Sequence, residues 1–527
     1  MSLHLEEPNL GGGLEEAFYE LADRLIDSLA QGEHLTINLD SERSQFTRFN
    51  NAKVRQSGVV ADGNVTISLI SNQREAFAEF PFTGDRQIDI TYALENLDYL
   101  RQEVAQIPEN PYLVIPKNQG SSREVYQGSL LEPTEAIATI LDPVNNVDFT
   151  GFYASGSVIR ANANSAGQRH WFATDSFFVD YSMFVQTSSG EKAVKGIYAG
   201  QEWQPQAYNL QIERSKQQLV ALQRQNKTVE RGQYHTYFAP VAASDLFSFL
   251  AGSVGESSLQ QGSSSLLKLK NQERTLSPLL SLNENFTYGN VPRFNRLGEV
   301  APEYLSVIAN GKLINTLVSS RSAKEYGKIA NGANSSESMR SPEVAVGDLA
   351  EADILKRLDT GLYLSNLHYL NWSDRTGGRI TGMTRYACFW VENGEFIAPI
   401  TNLRFDDSIY NFLGENLEAL TNFREFIPDT GTYEKRSLGY ETNNLALNFE
   451  LLQRFPNPLW VKASECSQER TGHKSFVPCV LQPNIPESIA SFCDGFECTV
   501  VGREAVSMKG GVMSCIQKRA TINLLHS

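Results

Sequence analysis

The sequence is poor in basic residues for its length. Its 527 residues include 46 Lys and Arg against 61 Asp and Glu, which gives a formal net charge of −15 at pH 7. A surface that binds nucleic acid or an anionic membrane needs a stripe of basic side chains to neutralise phosphate. The composition therefore argues against both kinds of partner.

Long apolar runs and a secretion signal are also missing. The first residues, MSLHLEEPNLGGG, have neither the basic region nor the apolar stretch of a signal peptide. No run approaches the ~20 apolar residues that a membrane-spanning helix needs. We expect a soluble protein of the cytoplasm.

Cysteine is rare before the last segment. Cys388 stands alone, and five cysteines follow late in the chain: Cys466, Cys479, Cys493, Cys498 and Cys515. No CxxC pair occurs, so a zinc site built from Cys466, His473 and Cys479 is only weakly indicated. A reducing compartment also disfavours disulfides.

The first 225 residues alternate between helical and strand patterns. Apolar residues recur at helical spacing from Leu14 to Leu29, and again from about Ile90 until Pro108 ends the second helix. Strand-like runs lie between these helices, and a glycine-rich, β-like run begins at Phe149. We interpret the runs as an antiparallel sheet covered by helices, followed by a second meander.

The stretch from Gly361 to Ser408 is a run of strand patterns. Its clearest feature is Asn393-Gly394, which separates TRYACFWVE from EFIAPI. Asn and Gly accept the positive φ that a tight hairpin turn requires. The sequence predicts a meander of β-hairpins here.

This stretch resembles the core of the C-terminal domain of the TldD/PmbA family, also called the modulator of DNA gyrase family. The resemblance rests on the GLY strand, the DRTGG turn and the block TGMTRYACFWVENGEFIAPITNLRFDDS. Further blocks occur in the family's order at Arg296 to Val300, at 304–327 and at 346–363, and QFTRFNNAKVRQ near the N-terminus is also family-like. The resemblance spans roughly residues 14 to 438.

Active members of this family carry a His-Glu-x-x-x-His run, in which two imidazoles hold zinc and the Glu activates water for attack on a peptide carbonyl. In this chain the corresponding helix follows the strand YHTYFA and opens at Pro240. Pro240 stands at the first His, Val241 at the Glu and Asp245 at the second His. The resemblance also implies a third ligand, a Cys in a Gly-Cys-Gly-Lys motif, but the corresponding region reads DTGTYEKRSLGYETNN.

The resemblance therefore implies a zinc-less, PmbA/TldE-like protein with no catalytic residue or cofactor in this chain. It would form a homodimer, or a heterodimer with a TldD-type subunit that bears the zinc and cuts unfolded peptides. The alternatives are a homodimeric binding or scaffold protein without proteolysis, and an active metallopeptidase with an unrecognised site. His235, His170 and His368 are each solitary in strand-like runs, where a structural role is the ordinary one.

The predicted fold is α+β, in three parts. Residues 1–225 form the helix-covered antiparallel region, residues 226–440 a β-rich, barrel-like meander, and residues 441–527 a divergent cysteine-containing tail. The tail is either an extension of this lineage or a product of a shifted reading frame, and the codons around Leu438 decide between the two.

Overall fold

A computed structural model describes residues 12–437, 439–442, 445–451, 499–501, 505–508 and 511–514. The chain divides into two units, Met1–Leu452 and Gln453–Ser527. The predictions for Cys466, His473, Cys479, Cys493, Cys498 and Cys515 lie outside the described residues.

Four of the longer helices begin where the sequence supplies a cap or a proline. Asp85 accepts hydrogen bonds from the Gln87 and Ile88 amides at the start of the second helix, and Pro133, Pro205 and Pro240 each open a helix at its first turn. The α-helices are α1 Gly12–Asp27, α2 Arg86–Val104, α3 Pro133–Leu141, α4 Pro205–Ala221, α5 Pro240–Ala251, α6 Glu256–Gln260, α7 Leu267–Lys270, α8 Ser320–Tyr326 and α9 Ile354–Leu358.

The strands of the first 200 residues are long, whereas most of the later ones are short. In chain order they are β1 His34–Asn50, β2 Lys53–Ser71, β3 Arg74–Pro81, β4 Ser122–Tyr126, β5 Asp148–Asn164, β6 Arg169–Thr187, β7 Gly190–Gly200, β8 Gly232–Phe238, β9 Leu282–Asn285, β10 Tyr304–Ala309, β11 Lys312–Leu313, β12 Pro342–Val344, β13 Gly361–Leu364, β14 Asn366–Asp374, β15 Arg379–Arg385, β16 Phe389–Glu392, β17 Glu395–Pro399, β18 Arg404–Ser408, β19 Leu417–Leu420, β20 Glu425–Pro428, β21 Gly439–Thr442, β22 Leu445–Leu451, β23 Thr499–Val501, β24 Ala505–Met508 and β25 Gly511–Ser514.

A single seven-stranded sheet organises the N-terminal region. Its order is β3-β2-β1-β5-β6-β4, with β7 pairing the other end of β6. Helices α1 and α2 pack over a core that includes Ile37 of β1 and Ile67 of β2, and α3 and α4 cover a second core around Phe149 and Tyr181. The predicted meander from Phe149 is confirmed as the consecutive antiparallel strands β5, β6 and β7, and it belongs to the same sheet as the first strands because β5 pairs with β1.

Two six-stranded sheets and a small three-stranded sheet form the C-terminal region of the first unit. Their orders are β11-β10-β9-β12-β21-β20, β17-β16-β13-β8-β22-β19 and β14-β15-β18. The predicted meander is thus divided, because β13, β16 and β17 join one sheet and β14, β15 and β18 another. Strand β13 also pairs in parallel with the distant β8, with Leu362 opposite Thr236, which no local pattern reveals.

The α+β class is confirmed, with an antiparallel N-terminal sheet and a β-rich C-terminal region. The described strands form open sheets, so the barrel-like arrangement is not closed. The domain limits at residues 225 and 440 remain a prediction. None of the helices in the described residues has both the length and the apolar character needed to cross a membrane.

The second unit is described only in part. Its described strands β23, β24 and β25 form a three-stranded antiparallel sheet in which Val500 lies opposite Val506 and Val506 opposite Met513.

The segment from Asp429 to Ser437 is anchored to the N-terminal sheet by a fully buried arginine. Arg436 is 0% exposed, its Nε donates to the Ser176 carbonyl at 3.2 Å, and its Nη1 lies 3.7 Å from Glu42 Oε2. Burial lowers the pKa of Arg436 to about 10 and raises the pKa of Glu42. The Tyr433 ring packs on Phe46 with centroids 4.9 Å apart.

Replacing Arg436 with Ala should destabilise the first unit strongly. The change leaves the Glu42 carboxyl buried without its cation, and breaking a buried pair in this way costs ~3–5 kcal/mol. The measurement is the midpoint of urea unfolding. The matched control is Arg55→Ala at an exposed position, which should shift stability by no more than ~0.5 kcal/mol. Equal midpoints for the two variants would contradict the anchoring role.

Candidate functional site

The site begins where strand β8 passes into helix α5. Ala239 follows the strand, and its N–H donates to the Leu364 carbonyl of β13 at 2.9 Å. Pro240 is the first residue of the helix, where a missing N–H is not needed for helical hydrogen bonding. The predicted helix start is therefore confirmed.

The inner face of α5 is part of the largest apolar core of the C-terminal region. Ala242, Ala243, Leu246, Phe247 and Leu250 are all buried there. The helix is thus held firmly, and the half-buried side chains of its first turns keep fixed positions at the surface of this core.

The sequence resemblance sets three residues of α5 against a zinc ligand, a general base and a second ligand of active relatives, and this alignment remains a prediction. Pro240, Val241 and Asp245 are all half-buried. Pro240 and Val241 offer no side-chain donor atom, so zinc cannot be held there as a His pair would hold it. The residues present do not fit the metal.

Asp245 is the polar member of the three. Burial raises the pKa of its carboxyl from 3.8 to about 7, against the opposing effect of a hydrogen bond from the Leu367 main-chain N–H. The shift follows from removing the charged form from water. The hydrogen bond from Leu367 to Asp245 joins helix α5 to the start of strand β14.

Strand β14 and the turn after β15 carry unusual backbone close to this contact. Tyr369 and Tyr386 have φ values of 53° and 62°, in the left-handed region that bulky side chains rarely adopt. Asn366 is 3% exposed, and its Oδ1 has no hydrogen-bond partner among the described residues. Strain and unpaired polar atoms of this kind concentrate at binding sites, which makes this region the candidate site.

The three-stranded sheet at the site has β14 as an outer strand. Tyr369, Asn371 and Ser373 of β14 are exposed, whereas Trp372 packs edge-on against Phe249 of α5 with ring centroids 4.8 Å apart. An outer strand presents main-chain N–H and C=O groups to which an extended peptide can pair.

Of the three histidines singled out in the sequence, His235 and His170 have structural partners. His235 Nδ1 lies 3.0 Å from the Leu358 carbonyl and its Nε2 2.9 Å from Glu418 Oε2. His170 is buried, with Nδ1 2.8 Å from Ser122 Oγ and its ring stacked on Phe294. His368 is half-buried beside Arg385. Its burial and the positive charge of Arg385 both lower the pKa of its imidazole.

The part of the chain that the structure describes contains no group of three or more His, Cys, Asp or Glu side chains able to share a metal ion. Cys388 is buried, burial raises the pKa of its thiol, and its Sγ donates to the Arg385 carbonyl at 3.1 Å. It is therefore packed as a small apolar residue with a weak donor. Arg385 lies over the Tyr386 ring, with 5.0 Å between guanidinium carbon and centroid.

Replacing Asp245 with Asn should stabilise the protein more at pH 8 than at pH 5. Because the folded pKa is raised from 3.8 to about 7, the native state binds the proton more tightly than the unfolded state, and stability falls as pH rises through that window. The Asn variant cannot lose a proton at this position. The difference in free energy of unfolding between the variant and the unmodified protein should therefore grow by about 2 kcal/mol between the two pH values.

The measurement is the melting temperature of each protein at both pH values. Asp27→Asn, at an exposed position, is the matched control for the change of side chain. An Asp245→Asn advantage of the same size at pH 5 and pH 8 would contradict the assignment.

Comparisons with known proteins agree with the fold and with part of the sequence resemblance. Residues 231–439 match the family described as the PmbA/TldA metallopeptidase C-terminal domain. No curated protein matches the sequence.

Three solved structures are similar over most of the chain. A candidate modulator of a DNA gyrase from Thermotoga maritima has a TM-score of 0.66 at 16% identity, covering 82% of this chain and 100% of that one. TldE from Thermococcus kodakarensis has a TM-score of 0.66 at 14% identity, with 83% and 99% covered. A candidate modulator of DNA gyrase from Bacteroides thetaiotaomicron has a TM-score of 0.65 at 15% identity, again with 83% and 99% covered. The chain thus has the fold of these proteins, and its residues 231–439 resemble the C-terminal domain of the PmbA/TldA metallopeptidases.

Proposed function

We propose that this chain is a TldD/PmbA-family protein of the zinc-less type, the non-catalytic subunit of a complex that cuts unfolded peptides. The observation that supports the proposal is the start of α5 at Pro240 and Val241. By the sequence resemblance, active relatives carry a zinc ligand and a general base at these two positions. Neither side chain can bind zinc or move a proton. The helix keeps its place in the fold without the groups that the chemistry needs.

The similarity to TldE supports the same assignment. Its fold matches 83% of this chain, at 14% sequence identity. The gyrase-related names of the other two structures do not require contact with DNA, because the net charge of −15 disfavours a phosphate-binding surface.

The role of such a subunit is to hold the peptide in extended form. The open edge of β14 supplies main-chain donors and acceptors for an added strand, and Asp245 and Asn366 lie at its start. Main-chain pairing of this kind accepts many sequences, which suits an unfolded substrate. Zinc and the general base come from the partner subunit, and the complex works in the cytoplasm.

The test compares the protein alone with the protein co-expressed with a relative that has an intact His-Glu-x-x-x-His helix. We expect the two to co-purify, and we expect zinc and peptide cleavage only in the mixture. Metal content is measured by plasma mass spectrometry and cleavage with an unfolded peptide. In the control, the relative's Glu is changed to Gln, which should abolish cleavage and leave co-purification unchanged.

Two other results would overturn the proposal. Stoichiometric zinc and chelator-sensitive cleavage in the lone protein would establish an active metallopeptidase, with His235 and the tail cysteines as the first ligands to replace. A stable homodimer that does not co-purify with the relative and shows no peptide cleavage would favour the binding or scaffold protein.

A further inference from the structure

A cleft of about 430 Å³ lies in the C-terminal region and includes none of the α5 residues described above. Its lining consists of two segments, residues 299–302 and 330–332, which we call its walls, together with Arg293, Ser320 and, from the N-terminal region, Gln119. A volume of this size is within the ~300–1,000 Å³ of ordinary small-ligand sites.

Arg340 fixes the loops that form the cleft. Its guanidinium donates to the carbonyls of Pro292, Arg293 and Phe294 at 2.7 to 3.1 Å, and to that of Gly332 at 3.1 Å. Gly332 has φ +73°, and a Cβ there would lie 2.5 Å from the Ala301 nitrogen. The two walls are therefore held in place before any ligand arrives.

A smaller recess adjoins the cleft and shares Ala301, Pro302, Asn331 and Gly332 with it. Its volume of about 10 Å³ admits a group the size of one water molecule. The rest of its lining combines apolar side chains with polar ones: Phe286, Leu305, Leu317, Ala333, Ser338, Arg340 and Glu284.

Glu284 also lines this recess and has one carboxylate oxygen without a hydrogen-bond partner. The side chain is 3% exposed, and Oε1 accepts hydrogen bonds from the main-chain N–H groups of Arg340 at 2.7 Å and Ser341 at 3.0 Å. Oε2 is buried and has no hydrogen-bond partner among the described residues. A buried carboxylate oxygen in this state is unfavourable unless a donor joins it.

We propose that the cleft binds a lysine side chain, whose ammonium group enters the recess and donates to Glu284 Oε2. An ammonium is compact, carries three donors and sits on a slender methylene stem. It therefore suits a narrow recess with a partly apolar lining and one free carboxylate oxygen, and the Arg340 guanidinium in the same lining is occupied by its own acceptors. This inference does not rest on the proposed function.

The Arg340 guanidinium does not fill this role, although it is near. It is engaged by four carbonyl oxygens and lies over the Phe286 ring, with 4.9 Å between its central carbon and the centroid. Burial raises the pKa of Glu284, and the charge of Arg340 only opposes that shift. Arg340 thus donates no hydrogen bond to Glu284 Oε2, and this oxygen can accept one from a ligand.

The charged groups on the walls of the cleft are also engaged. Arg293 donates from Nε and Nη2 to the Ala301 carbonyl at 3.2 and 3.1 Å. Glu299 accepts from Asn295 at 2.9 Å and from Ser320. Among these charged groups, the carboxylate oxygen without a partner is Glu284 Oε2, which belongs to the lining of the recess.

The probe is Nα-acetyl-lysine methylamide, titrated into the full-length protein by calorimetry. We expect saturable binding, at least tenfold weaker binding of the norleucine analogue, which has the stem without the ammonium, and at least tenfold weaker binding of the probe to Glu284→Gln. Free lysine, tested in parallel, separates an amino-acid ligand from a lysine residue within a peptide.

Equal binding of the lysine and norleucine probes, or no binding of either, would overturn the proposal and leave Oε2 with an ordered water only. Circular dichroism establishes whether Glu284→Gln folds. If it does not, Ala330→Trp at the half-buried wall of the cleft gives an independent test, because blocking the cleft should abolish binding of the lysine probe. Full binding to a folded Ala330→Trp protein would also overturn the proposal.

Discussion

The contact between Arg436 and the N-terminal sheet is the constraint on which the arrangement of the first unit depends. The segment that ends just after Arg436 lies against the strands of the long sheet, with a guanidinium that is 0% exposed. Thr430 adds a hydrogen bond of 2.7 Å to Asp180, and the Phe152 ring meets Tyr433 with centroids 5.4 Å apart. A chain segment late in the sequence thus completes the burial of strands formed early in it.

The same segment matters for the interpretation of the site. The resemblance implies that active relatives carry the cysteine ligand of zinc in this region, and the sequence here, DTGTYEKRSLGYETNN, has no cysteine. At α5 the strand passes directly into a helix that starts at Pro240 and Val241, the two residues that the resemblance sets against a zinc ligand and a general base. The proposal of a subunit that binds without catalysing depends on this alignment at both places.

Local signals in the sequence were sufficient for the elements that depend on nearby residues. The hairpin at Asn393-Gly394 is one example, since both residues adopt positive φ, 52° and 75°. Helix α2 begins earlier than its apolar pattern suggested, because Asp85 caps it ahead of the first buried turn. The start of α5 at Pro240 was likewise visible in the sequence.

Contacts between distant segments were not predictable in this way. The pairing of β13 with β8, the Asp245–Leu367 hydrogen bond and the burial of Arg436 and Glu284 each join residues far apart in sequence. A charged residue in a polar run is normally exposed, so nothing marked Arg436 or Glu284 as buried. The start of helix α5 could therefore be predicted from the sequence, but the residues that pack around it could not.

The order of strands in the sheets also determines when each part of the protein can fold during synthesis. All seven strands of the N-terminal sheet have been synthesised once the chain reaches Gly200. In contrast, β8 pairs with β22, which ends at Leu451, and β12 pairs with β21, so these pairings cannot form until late in synthesis. Pairings of such long range form slowly, and strands that wait for a partner expose edges prone to aggregation. A ribosome-bound chain of this protein would therefore carry a formed N-terminal sheet and an incomplete C-terminal region until about 250 further residues had been added, on the order of half a minute at ~5–20 residues per second.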